Sequence, residues 1–77
     1  MMMNNAQSET VVRVVPQNDG WHVKPEHGQE TNHPRKAIAA LRAKQLAANT
    51  GDKGRVIFYR VDGTIEVERR FERYLNA

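Results

Sequence analysis

The stretch Val11–Val23, VVRVVPQNDGWHV, constrains the chain more than any other. Val11, Val12, Val14 and Val15 are branched at Cβ, which stiffens the side chain and suits a pleated, half-buried surface. Gln17-Asn18-Asp19-Gly20 reads as a turn, because Asn and Asp bond their own backbone and Gly accepts positive φ. With these four residues as the loop, Pro16 faces Trp21, Val15 faces His22 and Val14 faces Val23. Side chains alternate between faces along a strand. One face of the hairpin therefore collects Val12, Val14, Trp21 and Val23. The other collects Val11, Arg13, Val15, His22 and Lys24. One apolar and one mixed face are expected of a sheet covered on one side only. Pro16 cannot donate to a ladder and belongs at a strand end or edge.

Beyond the hairpin, Pro25–His33 (PEHGQETNH) is polar and reads as a loop. Thr31 or Asn32 is expected to cap a helix, with Pro34 in its first turn, where a missing N–H costs nothing. That helix runs from about Pro34 to Asn49 and is dominated by alanine, the best helix former. At 100° per residue Ala39, Ala40, Ala43, Leu46 and Ala47 form the stripe assigned to the sheet. Ile38 and Leu41 fall away from it. Either the helix is rotated and they pack at the margin of the core, or they help bury a partner. Gly51-Asp52-Lys53-Gly54 reads as a second turn.

Arg55–Arg60 and Thr64–Phe71 are the last two strands, joined through Asp62-Gly63 as a two-residue type I′ hairpin. Val61 then opposes Thr64, Tyr59 opposes Glu66 and Phe58 opposes Val67. Val56, Phe58, Ile65 and Val67 share the core face, with Arg60 and Arg69 at its rims. Ile57, Tyr59, Val61, Glu66, Glu68 and Arg70 share the other. The expected fold is α+β, in the order ββαββ: a four-stranded, largely antiparallel sheet with one helix packed on one face. A single domain over residues 11–72 is expected, between a frayed start at 1–10 and a tail at 73–77.

These elements resemble a family of small bacterial proteins, the domain-of-unknown-function family 2188. Its members show a V-x-V-V-P start, a G-W-x-V second strand, an A-x-x-L-A helix and a G-R-D-G-x-I turn. The resemblance falls on Val12, Val14, Val15, Pro16, Gly20, Trp21, Val23, Ala43, Leu46, Ala47, Asp62, Gly63 and Ile65, and spans about Val11 to Val67. The chain departs from the pattern at His33–Ile38, at Gly51–Gly54 and at Val61, which stands where the family has a basic residue. The resemblance implies the fold and carries no mechanism.

The chemistry-bearing residues are few. The chain has 77 residues, no cysteine, and twelve Lys/Arg against nine Asp/Glu, a net charge of +3. The lack of cysteine excludes disulfides and thiolate metal sites and fits a reducing cytoplasm. No apolar run approaches the ~20 residues of a membrane span, and Met1–Thr10 is unlike a signal peptide. Gly51–Gly54 lacks the spacing of a phosphate loop, and Ser8 is the only serine. No enzyme, cofactor or small-molecule substrate is expected. His27 and His33 flank Glu30 and are weak candidates for a metal site, but their spacing matches no structural one and no metal is expected.

The uncovered sheet face is the better candidate. It is expected to carry Val11, Arg13, Val15, His22, Lys24, Ile57, Tyr59 and Arg70. Its apolar members point to a non-enzymatic interaction module that self-associates as a homodimer or docks on another protein, since a core as small as this chain allows gains from added burial. The alternative is nucleic-acid binding, with Arg13, Lys24, Arg70 and the helix residues Arg35, Lys36, Arg42 and Lys44 on phosphates and Tyr59 stacking on a base. Glu66 and Glu68, expected on the same face, oppose that alternative.

Overall fold

In a computed structural model, which describes residues 9–49 and 53–72, one helix lies across one face of a five-stranded sheet. The elements are β1 (Glu9–Gln17), β2 (Gly20–Pro25), β3 (Thr31–His33), α1 (Lys36–Asn49), β4 (Lys53–Tyr59) and β5 (Ile65–Glu72). The strands are ordered β3-β2-β1-β4-β5. The founding hairpin has the register its valines and turn residues dictate: Val14 pairs with Val23, Val15 with His22 and Pro16 with Trp21. Gln17 and Gly20 also pair, so the turn itself is Asn18-Asp19.

The α+β class and the single covering helix hold, but the sheet is mixed and has five strands. β1 and β4 pair in parallel, with Val12 beside Val56 and Val14 beside Phe58; the other three pairings are antiparallel. The polar segment expected to be a loop supplies the extra strand. Thr31, Asn32 and His33 pair with Val23, His22 and Trp21. Thr31 and Asn32 are therefore strand residues and do not cap the helix. The Arg35 carbonyl instead accepts the amide of Ala39, which makes Arg35 the residue on which the helix starts. Glu9 and Thr10 already belong to β1, and Lys53 and Gly54 to β4. Of the start expected to fray at 1–10, residues 1–8 lie outside the described residues, as do the first half of the expected Gly51–Gly54 turn and the expected tail at 73–77.

Parity places the core where the valine pattern puts it. Val12, Val14, Val23, Val56 and Phe58 meet Ala39, Ala43 and Ala47, all buried, with Trp21, Ala40, Leu46 and Phe71 packed at the margin. Trp21 and Phe58 lie on the same side of the sheet, since both rings sit under the Lys36 ammonium. Alanine is the residue that lets this helix approach the strands. At its C-terminal end the approach leaves no room for a side chain on β4: a Cβ on Gly54 would collide with the carbonyl of Ala47.

The second hairpin differs from expectation in two places that cancel. Gly63 N donates to Arg60 O at 3.0 Å and Arg60 N to Thr64 O at 2.8 Å, which closes a three-residue loop with Gly63 at φ +90°. This is a turn followed by a glycine bulge, and not a two-residue type I′ turn. The longer loop shifts pairing by one, so Tyr59 opposes Ile65; an extra residue at Glu66 restores it, and Phe58 opposes Val67 as expected. Asp62 favours the longer loop, because its carboxylate accepts both the amide and the hydroxyl of Thr64, at 3.0 and 2.7 Å. Those bonds hold the Asp62 carboxyl below the ordinary range.

Gly54→Ala is expected to destabilise the fold by about 1–3 kcal/mol, the usual cost of forcing extra volume into a packed seam. Denaturant unfolding of the two proteins measures it.

Candidate functional site

The face of the sheet away from the helix carries all eight residues assigned to it. Arg13, Lys24 and Ile57 adjoin through the ladder, as do Val11 and Arg55, and Val15 and His22. Arg13 Nε donates to the Tyr59 hydroxyl at 3.3 Å, which ties β1 to β4 across this face. Arg70 lies opposite Arg55 on β5. Arg55 holds the acids: its guanidinium is 3.0 Å from Glu68 and 3.5 Å from Glu9. Arg13, Lys24 and Arg70 have no acidic partner among the described residues. At one end His22 Nε2 lies 3.1 Å from Asp19 Oδ1, and the Asn32 amide reaches Asp19 at 3.4 Å. The His22 bond, first, and the local backbone bond hold the Asp19 carboxyl below its ordinary value.

This face is less apolar than its composition implies. Val11 and Ile57 are only 8% and 6% exposed. Their ladder neighbours are Arg55, Arg13 and Glu68, long side chains whose stems shield apolar surface. Ile65, expected in the core, pairs with Tyr59 on the open face and is 52% exposed. Glu66, expected here, has moved to the helix side, where Lys36 Nζ donates to its Oε1 at 2.7 Å. The bulge causes both changes: it consumes one residue without advancing the ladder, so the strand's faces exchange on either side of it.

On the helix side, α1 leaves a groove of about 700 Å³ along β5. Ala37, Ala40, Phe58 and Val67 supply its apolar lining, and Lys36, Lys44, Arg69 and Glu66 its charge. The Lys36 ammonium is 5.3 Å from the centre of the Trp21 ring and 6.0 Å from that of Phe58, a cation–π placement that Glu66 completes. Lys36 and Lys44, expected with Arg35 and Arg42 to be helix cations for phosphate, and Arg69, expected at a rim of the core face, meet in this groove. The legible signal was the spacing of Lys36, Ala40 and Lys44, four residues apart and so on one helix face. Of the other helix cations, Arg35 precedes the first turn and Arg42 is exposed.

The remaining candidates do not converge. His27 is exposed in the bend after β2, while His33 sits in β3 with Nε2 2.9 Å from Thr31 Oγ1. No group of three His, Asp or Glu side chains able to hold a metal occurs among the described residues. Ile38 and Leu41 are 49% and 53% exposed, so they stand out from the core. No helix among the described residues is long and apolar enough to cross a membrane.

The Lys36 hydrogen bond, and secondarily its charge and that of Arg60, lower the Glu66 pKa from the ordinary 4.5. A lowered carboxyl pKa stabilises the fold above the unfolded value and loses that contribution as pH falls through the folded one. Lys36→Gln is expected to raise the Glu66 midpoint back toward 4.5 and to flatten the loss of stability below it. Carboxyl-detected NMR titration of both proteins checks this; an unmoved midpoint contradicts the pair.

A family model described as an uncharacterized protein conserved in bacteria (DUF2188) matches residues 12–71. No curated protein and no solved structure matches the chain. The matched span runs from β1 into β5 and takes in the whole helix and at least part of each strand pairing, and the chain belongs to the DUF2188 family.

Proposed function

We propose that the protein is a small non-enzymatic interaction module that docks on the acidic surface of another protein through its open sheet face. The observation that carries this reading is the charge left over on that face. Arg55 takes up Glu9 and Glu68, while Arg13, Lys24 and Arg70 remain without acidic partners among the described residues. Tyr59 stands among them and offers an amphipathic ring of the kind enriched in protein interfaces. With Val11 and Ile57 already covered, apolar burial is a weaker drive on this face than charge complementarity.

Nucleic-acid binding is the second reading, and one observation favours it. Glu66 has left the open face for Lys36, which removes an acid that would repel a phosphate backbone and leaves Glu9 and Glu68 there, both held by Arg55. A single tyrosine remains a sparse stacking platform.

Arg13→Glu with Lys24→Glu separates these readings from each other and from no function at this face. In nuclease-treated extract, the parent chain is expected to retain a defined protein in stoichiometric amount and the double variant to lose it. Retention unchanged by the double variant overturns docking through this face. Retardation of single or double strands that weakens steeply with salt, with a slope near the number of phosphates neutralised, replaces it with the second reading.

A further inference from the structure

We propose that two copies of this chain join through β5, edge to edge and antiparallel about a twofold at Arg69, to make one continuous ten-stranded sheet. This surface is distinct from the open face, and the inference does not depend on what that face binds.

β5 closes one side of the sheet, and among the described residues no strand pairs with its outer edge. The opposite edge, β3, has three residues, whereas β5 has eight. An unpaired edge presents a row of amides and carbonyls ready to pair with another chain. Charged residues on an edge often serve to block such pairing. Here their order does the reverse. In Val67-Glu68-Arg69-Arg70-Phe71, an antiparallel pair centred on Arg69 sets Glu68 opposite Arg70 of a second copy, and Val67 opposite its Phe71. The twofold repeats both pairs. Directly opposed residues share a face, so the Glu–Arg pairs fall on the open side and the apolar pairs on the helix side. A centre at Glu68 or Arg70 would oppose identical charges just as one at Arg69 does, and would also break the apolar pairs.

Two further features suit this register. The bulge leaves Glu66 unpaired in the ladder with its side chain toward Lys36, so regular pairing begins at Val67. Val67 is 37% exposed and Phe71 partly so, leaving apolar surface at the edge for the second copy to cover. The cost is one like-charge contact, Arg69 on Arg69, against four favourable cross-strand pairs of similar individual size. Arg55, which faces Arg70 across β4–β5 and bonds Glu68, sits behind the paired charges and holds the Glu68 carboxylate in place.

The absence of cysteine gives a direct test. Residues opposed across an antiparallel ladder have Cα atoms about 4.5–5.5 Å apart, within disulfide reach. Under mild oxidation Arg69→Cys is expected to form a covalent dimer, and Asp62→Cys, in the exposed hairpin loop, is not. Sedimentation equilibrium of the full chain is expected to give twice the monomer mass. Arg70→Glu should weaken the dimer about tenfold or more. Adding Glu68→Arg should restore it, because the swap preserves both the pairing between chains and a partner for Arg55. A monomer at a hundred micromolar overturns the inference. So does a dimer that Arg70→Glu leaves intact, or one in which Arg69→Cys cross-links no faster than Asp62→Cys. In each of those cases the docking of the open face stands or falls on its own experiment.

Discussion

The close seat of an alanine-faced helix on a valine sheet is the contact from which the other features follow. Ala39, Ala43 and Ala47 lie against Val12, Val14, Val23 and Val56, and Gly54 removes the side chain that would hold the helix away. With so little volume between the layers, the helix covers the middle of the sheet and spends its width there. β5 is left at the periphery, with a groove beside it, and the reverse face of the sheet is left bare. Both candidate surfaces are therefore consequences of how the core is packed.

The first hairpin was legible in the residues because each constraint in it is local. Branched valines alternate, the turn residues sit between them, and the Val14–Val23 register follows. The helix stripe was legible for the same reason; whether Ile38 and Leu41 lie at the margin of the core or stand out from it was not, and both are exposed. The central parallel pair was not, since nothing in Val12 or Val56 records that the other lies beside it. β3 escaped because Thr-Asn-His has no apolar alternation. Its place is set by the partners Val23, His22 and Trp21, with Asp19 holding Asn32 from the turn.

The second hairpin bears most directly on function. Asp-Gly suggests a two-residue loop, but Asp62 uses its carboxylate to hold Thr64 and so lengthens the loop by one. The bulge at Glu66 corrects the register, and the residues past it fall where alternation puts them. Between the loop and the bulge, however, the faces exchange. One isoleucine reaches the open face and one glutamate leaves it, and that exchange alters the charge a partner would meet. Two local irregularities that cancel in the ladder do not cancel on the surface.

The claim on which all of this rests is that the three buried alanines look onto β1 and β4 together, with the open face behind. Methyl nuclear Overhauser contacts in solution test it directly. Strong contacts are expected from the Ala39, Ala43 and Ala47 methyls to Val12, Val14 and Val56, and none to Val15 or Tyr59. Contacts from these methyls to Val15 or Tyr59 would place the helix on the other side of the sheet and contradict it.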